Sequence, residues 1–454
     1  MSNLFGTMSI SLSGLMAQQA ALQVTSENIS NVNTPGYARR RPVMVEQTPT
    51  AQGLLSPGNG VRVDKIESLR DSVLDLRIAE ETEARGQLDG FLCSMQEIDA
   101  EFSGIDRGIG ADLDSLFNAV TRLSTDPTSI PLRQNVLIAA GNLASSFVAS
   151  AQKLRSVQQD IDRGLVQRVS QVNELSRQIA TLNAQISQAR NMGGQSAAFE
   201  DQRSAAIRHL SSLIGISTVD GDDGLVVTTA SGAPLVVGNE SFSLDIEPDG
   251  SGYQHVYADE ADITSRIAGG EIAGLVRARD AGIADALNRL NTLASAIATA
   301  FNAAHNKGFD LNGEPGGLFF ATPAATDAAA NMRLEISDPA KLAASTDGSK
   351  GDNGNLPNLV AIRTAALVGG ATPASFYAGL VARIGSQVAS AKSEYESSDL
   401  VILQLENQRA AISGVSLDEE AANLVRYQRG FEAAARVISV VNDLMQTVLQ
   451  LGRN

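Results

Sequence analysis

Apolar side chains recur with two periods along this chain, and the switch between them marks out its parts. Met8, Leu15, Leu22 and Ile29 return every seven residues, with Phe5 and Leu12 at companion positions. That spacing lines one narrow seam of a helix, the pattern of a helix packed lengthwise on another. The segment stops at NVNTPGY (31–37). Pro35 lacks a backbone donor and drives Thr34 toward an extended conformation, so the helix ends before it. Pro35-Gly36 suits the centre of a type II turn with positive φ at Gly36, and Asn31 and Asn33 tolerate the unusual backbone nearby. The far end repeats the device. Leu417, Leu424, Phe431, Ile438 and Met445 are seven apart, and Tyr427, Ala434, Val441 and Val448 continue the line in steps of three. Ser416 and Glu419 precede it at capping-box spacing.

Between the ends, 38–49 and 58–66 read as extended segments around a Gly- and Pro-containing loop. Helical patterns follow at about 68–102, 112–124 and 130–190; in the last, Val172, Leu175, Ile179, Leu182 and Ile186 alternate steps of three and four. Residues 216–257 change character to short β-branched runs separated by GDDG, SG and DG, which predicts a small antiparallel meander. Helix returns at about 282–306 and 373–411, around a loop-rich stretch at 307–360. The predicted fold is mainly α with a small β insertion (α+β): paired N- and C-terminal helices, a long-helix bundle body and a small antiparallel β domain. The expected partition is 1–40 with 413–454 as a terminal-helix core, 41–210 with 267–412 as a helical body, and 211–266 as the β domain.

Charge sharpens the distinction between ends and middle. The 454 residues carry a formal charge of −16 with 43% hydrophobic content, enough for a large core. Residues 1–38 hold one charged side chain, Glu27, and 414–454 hold five acids and four bases, so the ends carry −2 and the middle −14. Nearly neutral ends can pack on copies of themselves without strong repulsion, while the acidic middle disfavours nucleic acid and anionic membranes. A single cysteine, Cys93, excludes an internal disulfide, and its place beside Leu92 and Met95 predicts inert packing. The first basic residue is Arg39, so the start lacks the form of a secretory signal, and no stretch reaches the roughly twenty apolar residues of a membrane span.

Candidate chemistry is thin. His209, His255 and His305 are isolated, with no HExxH pair, and read as surface or satisfied residues. GIDRGIG (104–110) is not a dinucleotide fingerprint, and there is no Walker-type GK[ST]. DLNGEP (310–315) starts like a calcium loop but has Pro315 where the sharp turn needs Gly and Ala321 where the bidentate Glu belongs. Asp222-Asp223 falls in an apparent hairpin turn, where Asp bonds its own backbone. Carboxylates are plentiful, but no constellation points to catalysis, a cofactor or a metal.

The two ends together carry a resemblance. SENISNVNTPGYARRRP (26–42) is similar to the N-terminal signature of bacterial flagellar axial proteins, the rod, hook and hook-associated components. SGVSLDEEAANLVRYQRGFEAAARVISVVNDL (413–444) resembles their shared C-terminal signature, and FNAAHNKGFDLNGEPGGLFF (301–320) is similar to an internal segment of the hook-associated branch. The resemblance is weak over 216–260 and 321–370. It implies a non-enzymatic structural subunit joining hook to filament, exported by the flagellar type III apparatus without a cleaved signal. It further implies an extracellular location in the flagellum, with terminal helices lining the inner core of a hollow tube. Expected partners are copies of the chain in a ring or helical layer, the hook protein, a neighbouring hook-associated or filament protein, the export apparatus and an export chaperone. Nucleic acid and membrane insertion are not expected. In this reading Met8, Leu15, Leu22, Ile29, Leu417, Leu424, Phe431, Ile438 and Met445 form the assembly seam, and Asn31, Asn33, Pro35, Gly36 and Tyr37 the turn that redirects the chain outward. Larger relatives carry an outer β domain; only about fifty residues (321–372) occupy its place here, so it is expected to be absent or reduced to a loop. A hook or rod subunit is the alternative within the class, with AANLVRYQ and FNAAHNKGFD pointing away from it. A flagellum-associated hydrolase, or a coiled-coil adaptor unrelated to flagella, are the alternatives outside it. Because each seam is narrow, the terminal helices are expected to be marginal in the free subunit and to order on assembly.

Overall fold

A computed structural model describes residues 2–34, 36–48, 58–104, 108–192, 196–221 and 224–451, with the side chains of residues 2 and 3 left aside. Helix α1 (Ser2–Ser30) leads through the turn to a hairpin of β1 (Arg40–Glu46) and β2 (Val61–Ser68). Three helices follow, α2 (Ser72–Phe102), α3 (Ile109–Leu123) and the 62-residue α4 (Ile130–Asn191), then α5 (Ala197–Leu213). Strands β3 (Ile216–Gly221), β4 (Gly224–Thr229), β5 (Pro234–Val237), β6 (Glu240–Ser241), β7 (Leu244–Pro248), β8 (Gln254–Ala258) and β9 (Ala261–Asp262) come next. The chain closes with α6 (Gly270–Arg277), a π-helical turn (Ala278–Ile283), α7 (Ala284–His305), short α8 (Leu356–Ala361), α9 (Pro373–Ser413) and α10 (Leu417–Leu451). The architecture is mainly helical with small antiparallel sheets.

Local chemistry explains some boundaries. Helix α2 starts at Ser72 rather than at 68 because the Asp71 carboxylate accepts from the backbone of Val73 (3.0 Å) and Leu74 (3.1 Å), acting as an N-cap. Helix α5 has no seven-residue repeat to announce it. The strands of 216–262 make two sheets instead of one meander: β3-β4-β5-β6 in sequence order, and β7-β8-β9. The β8–β9 connection is a two-residue turn in which Asp259 and Glu260 both have positive φ, the geometry that matches strand twist.

Contacts group the chain into two compact units, each drawn from distant segments. The first comprises Met1–Glu83, Val172–Ser243 and Ser398–Asn454; the second comprises Ala84–Gln171 and Leu244–Ser397. The second unit has an aromatic centre in which Phe301 packs against Phe117, Phe319 and Phe320, with ring centroids 5.5–5.8 Å apart. Asn302 holds the GGLFF segment by accepting from the amides of Phe319 and Phe320 and donating to the Phe320 carbonyl. The loop-rich stretch is tied in the same way, by buried side-chain amides: Asn355 donates to Ala304 and Ala343, and Asn291 to Thr326. Buried backbone polar groups must be paired, and here side chains do what a sheet would otherwise do. Residues 321–372 hold α8, two 3₁₀ turns and isolated bridges, with no regular strand among those described.

Candidate assembly interface

In the first unit α1 and α10 lie side by side. Asn28 faces Glu420, and Gln18 lies against Gly430, so ten residues back along one helix match ten forward along the other and the pair is antiparallel. The fully buried stripe of α1 is Ala17, Ala21, Val24, Thr25 and Asn28. The antiparallel spacing sets Ala17 level with Phe431, Ala21 with Tyr427 and Val24 with Leu424, so small side chains meet large ones. Met8, Leu15, Leu22 and Ile29 are half-buried beside that stripe. On α10, Leu424, Phe431, Ile438 and Met445 are half-buried, Val441 is buried and Leu417 is exposed.

The base of the pair is polar and tightly bonded. Glu420, with 2% of its side chain exposed, accepts from Arg39 Nε at 2.8 Å and from Asn28 Nδ2 at 3.1 Å. The buried Asn28 accepts from the Tyr37 hydroxyl (2.9 Å) and the Arg40 amide (3.0 Å) and donates to the Arg40 carbonyl. Arg40 reaches Glu27 (3.1 Å) and Asp201 (3.0 Å) and stacks on the Tyr37 ring. Burial, the largest influence, pushes the Tyr37 phenol up to about 12. Asp201 also binds Arg70. The turn itself is closed by Tyr37 N donating to Thr34 O (3.2 Å), with Gly36 at φ +83° and its carbonyl accepting from Arg409, which also pairs with Asp75. Asn31 donates to the Glu27 carbonyl and accepts from the Thr34 hydroxyl; Asn33 is exposed. Pro35 lies outside the described residues.

Two sequence expectations need correction. The capping box is half-formed. Glu419 N lies 3.5 Å from Ser416 Oγ, but the Glu419 carboxylate turns to Arg39 at 2.5 Å because that guanidinium is the stronger donor. Cys93 is exposed, since its neighbours Leu92 and Met95 occupy the buried face of α2 and it does not. Elsewhere, His305 is fully buried between the Gly317 carbonyl (2.7 Å) and the Ala343 amide (2.9 Å), and burial holds its pKa down. Asp310 accepts from the amides of Asn312 and Glu314, so DLNGEP is a self-bonded turn. Asp222-Asp223 and part of GIDRGIG lie outside the described residues. A cavity of about 250 Å³ in the first unit is lined by Arg70, Asp75, Glu83, Arg203, Arg208 and Ile216 among others. Asp75 there is bonded to Arg409, and Glu83 accepts from Ile216 N. Among the described residues no group of three His, Cys, Asp or Glu could hold a metal, and no helix is long and apolar enough to cross a membrane.

Large apolar side chains remain outside. Nearly half of those exposed among the described residues lie on α1 and α10: Phe5, Leu12 and Met16 on one, Val437, Val440, Leu444 and Leu451 among those on the other. They lie away from the α1–α10 contact, among exposed polar residues that on α10 include Arg429, Glu432 and Arg436, and a pair exposing so many large apolar side chains is unfinished as a solvent-facing structure. The polar base is what heptad reading missed. Its signal was present: Glu420 takes the position, three after Leu417, that Tyr427, Ala434 and Val441 take in the later repeats.

Comparison with known proteins matches three blocks. The "Flagellar hook-associated protein FlgK helical domain" matches residues 95–320. The "Flagellar basal body rod FlgEFG protein C-terminal" matches 407–451, and "Flagella basal body rod protein" matches 8–37. Flagellar hook-associated protein 1 of Escherichia coli (strain K12) is 26% identical, with 97% of this chain and 98% of that protein covered. Its namesake in Bacillus subtilis (strain 168) is 27% identical with 96% of each covered. The structure of the flagellar hook junction protein FlgK from Burkholderia pseudomallei superposes with a TM-score of 0.68 at 16% identity, covering 74% of this chain and 100% of that one, a likeness of fold.

Proposed function

The chain belongs to the flagellar hook-associated protein 1 family, and we propose that it is a structural subunit of the bacterial flagellum that joins hook to filament. The observation that carries this is the pairing of the two signature-bearing chain ends into one helical pair that keeps a dozen large apolar side chains exposed. Copies of the chain would bury those exposed side chains against one another in a ring or helical layer; Leu424 and Phe431 meet α1 within the pair, and Met8, Leu15, Leu22, Ile29, Leu417, Ile438 and Met445 would make the seam with neighbouring copies. The hook protein would lie on one side, and a neighbouring hook-associated or filament protein on the other. Residues 1–40 with 413–454 form the inner core in this reading, 41–210 with 267–412 the spacing body and 211–266 a small β domain; this partition by role cuts across the two contact units. The protein performs no catalysis and leaves the cell through the flagellar export apparatus, escorted by a chaperone.

A deletion strain tests this. It should be non-motile, with hooks present and filament monomer released into the medium. Normal motility in the deletion strain, or labelled protein distributed along the whole hook instead of at its distal end, overturns the reading.

A further inference from the structure

Heptad helices have a weakness that this pair shares. A seam repeating every seven residues can slide by seven and still bury apolar side chains against apolar side chains. If α10 shifts one heptad in one direction, Val24 comes level with Phe431 and Ala17 with Ile438. In the other direction Ala17 comes level with Leu424 and Ile10 with Phe431. Neither slip empties the seam, so apolar packing alone specifies the register poorly.

Thr25 and Asn28 are the polar members of α1's buried stripe and Glu420 is the buried acid of α10; Asn28 and Glu420 meet across the pair. Asn28 is the last of the series Gly14, Ala21, Asn28, and Glu420 is the first of the series Glu420, Tyr427, Ala434, Val441. In the observed register their side chains bond at 3.1 Å, and Arg39 completes the carboxylate at 2.8 Å. A slip one way sets Glu420 level with Ala21, and the other way carries it past the end of α1. Both strand a desolvated carboxylate, or force it into water together with the helix start, and leave Asn28 without its acceptor. A single buried polar contact can thus select among registers that apolar burial leaves nearly equal.

We infer that the Asn28–Glu420–Arg39 node is the register-setting element of the terminal helix pair. Glu420 is a positioning residue. Arg39 N also donates to Ser413 O at the end of α9, and Asn28 bonds Tyr37 and Arg40, so the same node that sets the register fixes where the pair leaves the rest of its unit. The inference concerns the pair itself and holds whether or not the chain serves at a hook–filament junction.

Disulfide trapping in the full-length chain reads register directly. In a Cys93→Ser background, cysteine is placed at 18 together with 430, 437 or 423, which report the observed register and the two slipped ones. The parent should trap 18–430 almost alone. Glu420→Leu should lower the ratio of 18–430 to the slipped products by roughly tenfold or more, and Glu420→Gln, which keeps an acceptor for Asn28 and Arg39, should restore most of it. An unchanged ratio in Glu420→Leu overturns the inference. So does loss of all three products, which would mean that Glu420 holds the pair together without choosing its register. A parent chain that does not trap 18–430 overturns it as well.

Discussion

Gly36→Val strikes the turn at the base of the terminal pair, and its effect can be worked from two terms. The first is backbone strain. Gly36 sits at φ +83°, the left-handed region, which an L-residue enters at roughly 1–2 kcal/mol, with a β-branched side chain at the upper end. The second is contact: a Cβ there would stand 2.8 Å from Arg208 Nη2. That guanidinium is the end of a long side chain, but burial and the adjacent Arg409 already hold its pKa down, so it has little freedom to retreat toward other cations. Together these give about 2 kcal/mol, or ~30-fold in the ratio of closed to open junction. Hydrogen exchange reads this locally, because Arg39 N is bonded to Ser413 O and Leu69 N to Arg39 O across the same junction. Their protection should fall by roughly 30-fold, while amides of the second unit keep theirs. Gly36→Asn separates the terms: it brings the same Cβ but tolerates positive φ, so it should lose markedly less. If Val leaves protection unchanged, the turn does not constrain the junction. If Asn and Val lose equally, the contact dominates and the strain argument is wrong.

Three further outcomes are expected. Gly274→Ala would place a Cβ 2.1 Å from Gln87 O and 2.7 Å from Phe91 N, both backbone atoms of α2, so α6 must move away; the loss is about 1–3 kcal/mol, and calorimetry showing an unshifted transition for the second unit would refute that close approach. Tyr37 titrates at about 12 in the fold against 10.0 when unperturbed, so its contribution to stability is complete below pH 10 and is lost as pH rises toward 12; an alkaline tyrosinate titration of Tyr37→Phe should lack one late-titrating phenol. Leu12→Glu and Val440→Glu alter exposed positions away from the pair's own contact, so the free chain should keep its melting temperature while incorporation into flagella fails; normal incorporation of both would show that these faces meet no neighbour.

How much of this was legible in the sequence depended on whether the signal was periodic. The heptads announced α1 and α10, and Pro35-Gly36 announced the end of the first helix, because those features act over a few residues. Three things escaped. Helix α5 owes its place to tertiary pairing, with Asp201 between Arg40 and Arg70, and no local pattern encodes that. The two compact units draw on segments hundreds of residues apart, which hydrophobic spacing does not connect. Cys93 looked buried because Leu92 and Met95 flank it, yet a helix turns about 100° per residue and the neighbours of a buried residue often face out. The Glu420 node was readable in principle as an acid on a seam position, but an acid in a first helical turn has an ordinary explanation as a dipole partner, and only its burial against Asn28 and Arg39 distinguishes the two.

The distribution of charge along the terminal pair follows a physical division of labour. Glu27, Arg39, Arg40, Glu419 and Glu420 gather at its base, where Asn28 and Tyr37 are also buried or bonded. Beyond that base α1 carries no charged side chain at all. Apolar burial is strong but indifferent to direction and register, whereas charged hydrogen bonds add modest net stability and are strict about geometry. Concentrating the strict contacts at one end lets that end define how the pair leaves the unit, while the uncharged remainder of α1 stays free to adhere to an apolar surface; α10 keeps Arg426, Arg429, Glu432, Arg436 and Asp443 exposed along its length and so adheres more selectively. A charge moved up α1 would add specificity where adhesion is needed, and removing one from the base would leave adhesion without a register. Both ends of the chain are therefore constrained, and by opposite requirements.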